Sequence, residues 1–476
     1  MADGDGRRED DDMAEEMNGR MQDDNDAEEG GGGGVPYDFA IEEEDVIEIV
    51  TDDDSVDNYE SGDDDETVGE DDNAEQFDVT LPSRHTYMGE TQELRGRTVQ
   101  DENDYITIPL LHDNNLLMNL VLVPTQTLPM TVFHPLNISM LRNVIAKDRT
   151  FGIVHTKHIE GGGSEMAKYG TTAEIYEYQE EEGSGALSIK AKGRQRFKLI
   201  STRREMTGLV VAQVQILPEI RMEDPFEMMR LQSLDKMLLS PPVEEEAGKA
   251  PRAGCIDELR TPKFWHVRRK NAWLTPWPSW VYNQYDDLLL THKVISELEK
   301  STMIQPHLLK VPCDPQELSH WAAINLPLHD SHRLTLLSLN TPTQRLRYIL
   351  SVLSKCKMLS CIHCTGTIAN TADIFSMSVE GPQGTFVNPQ GYVHEMLTLT
   401  KATNLSYYGR PSVEYSWFPG YAWIVATCGR CHNHIGWKFT ATKRKLKPQK
   451  FYGLTRKSVQ ARLAEDADEG EMRHVI

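Results

Sequence analysis

Four cysteines in two matched pairs are the residues of this sequence whose spacing speaks most directly of chemistry. Cys361-Ile362-His363-Cys364 and Cys428-Gly429-Arg430-Cys431 are Cys-x-x-Cys knuckles with 63 residues between them. Each turns tightly enough for both sulfurs to face one ion, and two knuckles complete the tetrahedron of a closed zinc site. A redox dithiol is the alternative for either motif alone, but it belongs in a βαβ context that neither pair has. Cys356, His363, His432 and His434 offer further donor atoms, yet the two knuckles already fill the shell. Four thiolates leave no position for a water nucleophile, so the expected zinc is one structural ion and not a catalyst. Cys255 and Cys313 stand alone and read as buried thiols.

Aromatic residues crowd the same part of the chain. Glu414-Tyr415-Ser416-Trp417-Phe418-Pro419-Gly420-Tyr421-Ala422-Trp423 precedes the second knuckle and Trp437-Lys438-Phe439 follows it. Alternation puts Trp437 and Phe439 on one face of a strand, and the Pro-Gly turn folds Trp417 and Trp423 toward each other. Three indoles so placed make either a cage for a small polar ligand or the core of a small β domain, and pattern alone leaves both open. Catalytic signatures are missing: there is no G-x-x-x-x-G-K-[ST] loop and no G-x-S-x-G elbow, and His394-Glu395 lacks the second histidine of a metalloprotease helix.

The elements that must position these residues follow from length and composition. At 476 residues with 39% hydrophobic content the chain supports at least two cores. Its net charge of −25 is concentrated at one end: residues 1–76 hold 32 Asp and Glu against 3 Lys and Arg, and the rest carries 46 basic against 42 acidic residues. That balance gives no nucleic-acid stripe. Residues 1–78 read as a disordered acidic tail. Within it Val46-Ile47-Glu48-Ile49-Val50, followed by an acidic run, is either a chance apolar patch or a strand for binding a small ubiquitin-like modifier. No apolar stretch reaches spanning length, and seven cysteines do not make a secreted disulfide framework, so a cytoplasmic and nuclear protein with no membrane partner is expected. The sequons at Asn137 and Asn404 would then be idle.

From residue 79 the pattern turns globular. Leu120 to Pro129 reads as a buried strand and turn, and Asn137 to Asp148 as a helix. Thr171–Tyr178, Leu187–Ala191, Arg196–Ile200 and Leu209–Leu217 read as strands, with Gly193 breaking the middle two. This is a β domain over 79–217. Residues 218–355 change to helical spacing at Met228–Leu239 and Leu288–Leu298. A last helix begins at Thr341-Pro342-Thr343-Gln344, with N-cap, first-turn proline and capping-box glutamine, and carries the stripe Leu346, Ile349, Leu350, Leu353. Between them, Trp273 through Trp277, Trp280 and Tyr282 form an aromatic cluster suited to internal packing or to docking. Beyond Cys356 short β runs take over.

The motifs Phe386-Val387-Asn388-Pro389, Gly391-Tyr392-Val393-His394-Glu395, Ser416 through Trp423 and His434 through Phe439 closely resemble the cereblon family. The likeness extends back through Gln126-Thr127-Leu128-Pro129, Phe133-His134-Pro135, Asp148 to Phe151, Tyr169 to Ile175 and Gly193 to Phe197, about 380 residues in all. The resemblance implies an α+β multidomain chain: a Lon N-terminal-like β domain, a helical bundle, and a zinc-stabilised all-β (β-tent) CULT domain at 356–456 with a flexible tail at 457–476. It implies no peptidase. Its function would be that of a substrate receptor of a cullin-4 RING E3 ubiquitin ligase, which recruits proteins for ubiquitination and binds thalidomide-like cyclic imides or degrons bearing one. The resemblance puts the zinc on Cys361, Cys364, Cys428 and Cys431 and the cage on Trp417, Trp423 and Trp437. Asn388, Pro389, Glu414, Tyr415, Ser416, Tyr421 and Phe439 would complete the ligand pocket. Trp277, Trp280, Tyr282 and Tyr285 would touch the damaged-DNA-binding adaptor. Tyr415 and Gln390 stand where vertebrate relatives have histidine. The rival functions are a methionine sulfoxide reductase-like oxidoreductase, which lacks a reactive cysteine after the second knuckle, and a zinc-ribbon nucleic-acid binder, suggested by Lys443-Arg444-Lys445-Leu446-Lys447.

Overall fold

The computed structural model describes residues 75–111, 120–159, 163–181, 183, 185–229, 231–239, 262–300, 311–353, 355 and 357–462. The Val46–Val50 motif, Cys255 and Cys356 lie outside them. The described chain begins inside the stretch expected to be tail. Strand β1 (Glu75–Gln76) pairs in parallel with Leu446–Lys447, and Phe77 is buried against Phe418 and Tyr421. Burying an aromatic ring contributes roughly 1.5–3 kcal/mol, which offsets the ordering of its polar neighbours. After helix α1 (Leu81–Arg84) the Tyr87 hydroxyl accepts from the Val387 amide at 3.2 Å. Residues 75–88 thus pack on the zinc-bearing part, and neither the tail nor the β domain divides at 78/79.

The first large sheet takes β2 (Gln92–Glu93), β3 (Tyr105–Leu110), β4 (Thr127–Val132), β5 (Thr150–Ile159), β6 (Gly163–Glu180), β7 (Leu187–Arg204) and β8 (Val210–Ile216). Their order is β2-β6-β5-β3-β8-β7-β4, and an added β6–β7 pairing closes the sheet on itself. Helix α2 (Pro135–Ala146) starts on its proline and packs Leu141 and Val144 with Leu128, Phe151, Ile175 and Ile189. Phe197, Val214 and Ile216 fill a second core. Two readings fail here. Leu120–Val123 is buried but forms no strand, and the strand begins only after the Pro124-Thr125 turn. Gly193 does not break β7. It lies mid-strand because a Cβ there would come within 2.4 Å of the Val123 carbonyl, the close backbone approach that glycine permits.

Helices follow: α3 (Pro225–Met229), α4 (Pro262–Ala272), α5 (Ser279–Tyr285), α6 (Asp287–Lys300), α7 (Pro315–Asn325), α8 (Asp330–Ser338) and α9 (Pro342–Leu353). The Thr341 hydroxyl accepts from the Gln344 amide at 3.2 Å, the expected cap. The helix expected over Met228–Leu239 is instead α3 and a 3₁₀ turn at Gln232–Met237. Met228, Leu231, Met237 and Leu239 are exposed, so no packed face supports a longer helix.

The last part is β-rich. Strands β9 (Met358–Cys361) and β10 (Thr367–Asn370) precede β11 (Gln383–Val387), β12 (Val393–Leu399), β13 (Leu405–Ser412), β14 (Tyr421–Cys428), β15 (His434–Ala441), β16 (Leu446–Lys447), β17 (Lys450–Thr455) and β18 (Val459–Arg462). A six-stranded antiparallel sheet runs β11-β12-β17-β15-β14-β13, beside a three-stranded sheet β10-β9-β18. Order therefore passes the expected end at 456, because Val459 pairs with Cys361 and closes the smaller sheet. One core joins the helices to this part: Leu298, Leu318, Leu346 and Ile349 pack with Leu359, Ile368, Cys428 and Ile435.

Candidate metal centre and aromatic pocket

The two knuckles have the same backbone shape. Cys361 ends β9 and Cys428 ends β14, and each carbonyl accepts from an amide four residues on, Thr365 at 3.0 Å and His432 at 2.9 Å. Thr365 and His432 both take left-handed φ values, 60° and 59°. These turns bring all four sulfurs within 4.8 Å of one another. The Sγ pairs Cys361–Cys431 and Cys364–Cys428 are 3.6 and 3.5 Å apart, while a tetrahedron with Zn–S of about 2.3 Å needs about 3.8 Å. The four cysteines therefore fit one structural zinc. His363 and His432 are exposed, and His434 lies against Trp437.

Next to the metal centre, β14 and β15 pair so that Trp423 faces Phe439 and Val425 faces Trp437. Opposite residues of an antiparallel pair share a face, so both strands present indoles to the same side. Trp417 enters from the β13–β14 loop and meets Trp437 edge-on at 5.0 Å. Its indole N–H donates to the Val387 carbonyl at 3.1 Å, and that of Trp423 donates to the Glu414 carbonyl at 2.8 Å. Trp423 packs on the same aromatic cluster, half-buried. The structure thus gathers the three tryptophans around one face.

The other expected pocket residues divide. Asn388 is half-buried, and its Oδ1 accepts from the Tyr392 amide at 2.8 Å, holding the Pro389-Gln390 turn. Pro389, Glu414 and Tyr415 are exposed, and the Ser416 hydroxyl donates to the Phe418 carbonyl. Tyr421 and Phe439 lie deeper than a rim. Tyr421 is fully buried against Phe77 and Phe451, with its hydroxyl donating to the Pro448 carbonyl at 2.8 Å. Phe439 stacks on Phe451 beneath the cluster.

Two further wall residues, Phe386 and His394, stand in the motifs quoted above without a pocket role assigned to them. Phe386 stacks on Trp417 at 5.1 Å. His394 touches both Trp417 and Trp437, at 5.6 and 5.1 Å. The signal was there in the register, since Phe386 and His394 are partners across the β11–β12 hairpin. Burial, then His434 and Lys457, push His394 down to about 4, so its ring is neutral at physiological pH.

The expected adaptor residues also divide. Trp280 is 61% exposed, and Trp277 and Tyr285 are exposed too, with the Arg347 guanidinium over the Tyr285 ring. Tyr282 is not a surface residue. It is 2% exposed, stacked on Phe226 at 4.4 Å, and donates from its hydroxyl to Thr275 at 2.6 Å. A seven-residue helix turns Tyr282 inward while Trp280 points outward. Trp273 is 85% exposed and joins the outer group.

Comparison with known families agrees with this arrangement. Residues 116–355 match the ATP-dependent protease La (LON) substrate-binding domain, and residues 357–473 match the Yippee zinc-binding/DNA-binding /Mis18, centromere assembly family. Fold and site together define a Lon N-terminal-like β domain with helices, joined to a zinc-bearing all-β domain. Whole-chain similarity narrows this. Protein cereblon of Xenopus tropicalis is 43% identical over 84% of this chain and 87% of its own length. Those of Gallus gallus and Danio rerio are each 41% identical, over 83% and 80% of this chain and 86% and 87% of theirs. The chain belongs to the cereblon family. No helix among the described residues is long and apolar enough to cross a membrane.

Proposed function

We propose that this chain is the non-catalytic substrate receptor of a cullin-4 RING E3 ubiquitin ligase, and that its pocket holds a cyclic imide or a protein end bearing one. The observation that carries the reading is the convergence of Trp417, Trp423 and Trp437 beside a closed four-cysteine site, in a member of the cereblon family. An imide ring has apolar CH2 faces and an edge that alternates carbonyl, N–H and carbonyl. Indoles suit the faces. The edge needs an acceptor flanked by donors, since buried polar groups left unpaired cost free energy. The backbone of Tyr415 to Trp417 is the source we assign: the carbonyl of Tyr415 accepts from the imide N–H, and the amide of Trp417 donates to a ring oxygen.

A closed zinc shell supports a folding role for the metal, and the ligase partners then supply ubiquitin transfer. The exposed Trp277, Trp280 and Tyr285 are the side chains we assign to the adaptor, without the buried Tyr282. Such a receptor acts in the cytoplasm and nucleus. Purification of the tagged full chain from cells tests the assembly. The cullin-4 adaptor should accompany it, and a Trp277→Ala/Trp280→Ala variant that folds should lose the adaptor. Wild-type chain free of adaptor would refute the receptor reading.

A further inference from the structure

The basic motif Lys443-Arg444-Lys445-Leu446-Lys447 forms a turn that leads into β16, and Lys450 follows at the start of β17. One side chain fixes the backbone of this turn. The Gln449 amide group donates to the carbonyls of Lys443, Arg444 and Leu446, at 3.4, 2.8 and 2.5 Å. Leu446 is buried in the same aromatic cluster as Phe77, which seats the turn on the zinc-bearing part. Its cations stay outside. Lys443, Arg444, Lys445, Lys447 and Lys450 are all exposed, and among the described residues none of the five pairs with a carboxylate. Five cations on one preformed turn make a local positive field that favours an anionic partner.

The chain itself delivers one to this place. Strand β1 runs parallel to β16, with Glu75 beside Leu446 and Gln76 beside Lys447. The Glu75 amide donates to the Lys445 carbonyl at 2.8 Å and the Phe77 amide to the Lys447 carbonyl at 3.0 Å. Parallel pairing directs the residues that precede Glu75 back toward Lys445, Arg444 and Lys443. Those residues are acidic: positions 64–72, outside the described residues, hold Asp64, Asp65, Glu66, Glu70, Asp71 and Asp72 and no cation. An extended residue spans at most about 3.6 Å, so the chain ties Asp72 within about 11 Å of Glu75 and Asp64 within about 40 Å. Charges interact appreciably over about 8 Å at physiological salt, so the nearest carboxylates stay close to the range of the turn. The tether makes their encounter with it intramolecular, at an effective concentration that a free peptide would have to match.

We propose that the Lys443–Lys447 turn with Lys450 is a docking surface for an acidic peptide, and that residues 64–72 of the same chain are its occupant. Six carboxylates nearly balance five cations, so the occupied turn presents little net charge. Phosphate groups then find no free basic run, although the lysines are exposed, and this removes the ground for reading the motif as a nucleic-acid site. Any other acidic chain must displace the tethered one.

Two measurements on the full chain test this. Carbodiimide joins carboxylates only to amines in direct contact with them, and the exposed Lys300–Glu297 pair at 2.5 Å is the internal control. Peptide mapping should find residues 64–72 coupled to Lys443, Lys445, Lys447 or Lys450, with the yield at least about fivefold lower in about 0.5 M salt. The second measurement reads accessibility, with a single-stranded DNA oligonucleotide as the polyanion probe. Converting the six acidic residues of 64–72 to their amides should raise its affinity at least about tenfold over wild type, and adding Lys443→Gln/Arg444→Gln/Lys445→Gln should abolish the gain. Converting Glu9, Asp10, Asp11, Asp12, Glu15 and Glu16 instead gives the same net charge and should leave the wild-type affinity unchanged. The proposal is overturned if 64–72 couples to none of these lysines while Lys300 couples to Glu297. It is overturned equally if coupling occurs only between isotopically distinct copies, which is a contact between molecules. Equal gains from the two amide variants would overturn it as well, because net charge would then account for the effect.

Discussion

Serine in place of Cys428 removes one of four thiolates from the closed site, and the packing around that sulfur sets how far the damage spreads. Structural zinc contributes about 10–16 kcal/mol of apparent binding free energy in small domains. A folded domain has a net stability of about 5–15 kcal/mol. Losing the ion is therefore enough to unfold residues 357–462. The effect does not stop there, because Cys428 is fully buried in a core that also contains Leu298, Leu318, Leu346 and Ile349. Helices α6, α7 and α9 lose that support together with the zinc. The closed sheet of the β domain keeps its own cores around Phe151 and Phe197 and is affected least. Metal analysis combined with segment-resolved hydrogen exchange follows all three regions. The expected result is no bound zinc, loss of protection over 357–462, and protection of 315–353 lowered about tenfold or more, where each tenfold is about 1.4 kcal/mol. Full zinc content would refute the ligand assignment. Wild-type protection of 315–353 beside an unfolded zinc domain would refute the shared core.

Trp423→Ala removes a cage wall and the indole N–H that holds the Glu414 carbonyl. Imide affinity in calorimetry should fall by two orders of magnitude or more, since the half-buried indole becomes a buried aromatic wall once a ligand covers it, and losing such a wall costs about 3–5 kcal/mol. Tyr415→His should change that affinity within about tenfold, or about 1.4 kcal/mol. Tyr415 is 65% exposed with φ 51°, a left-handed conformation that histidine adopts more readily. Acid unfolding should show one proton from His394: its folded value of about 4 lies below the ordinary 6.5, so the unfolded chain takes the proton first. The stability it contributes is present above about pH 6.5 and lost as pH falls toward about 4. In His394→Gln, denaturant melts across that window should decline less steeply, and an unchanged slope would count against the burial of this ring.

How much of this was legible in the sequence depends on how local each signal is. The knuckles could be read because two cysteines three apart define a turn by themselves, and the α9 start because Thr341 and Gln344 are neighbours. Alternation along one strand placed Trp437 with Phe439. Contacts between distant segments were not legible. Gln126 and Glu395 are 269 residues apart, and neither has a local pattern that names the other. Phe77 stands in acidic surroundings that argue for a tail, and only its fit against Phe418 and Tyr421 orders it. Tyr282 and Trp280 look equivalent in a run of aromatics. Their exposures of 2% and 61% are set by which side of a short helix meets Phe226.

In the proposed function the three-tryptophan pocket binds the imide edge through its N–H. Calorimetry of the full chain with a glutarimide and with its N-methyl counterpart tests it most directly. Methylation deletes the donor and sets a methyl group against the acceptor carbonyl, while the apolar faces that meet the indoles are unchanged. Saturable one-to-one binding of the free imide is expected, with no measurable heat from the methylated one. Equal affinity for the two compounds, or binding of neither, would contradict it.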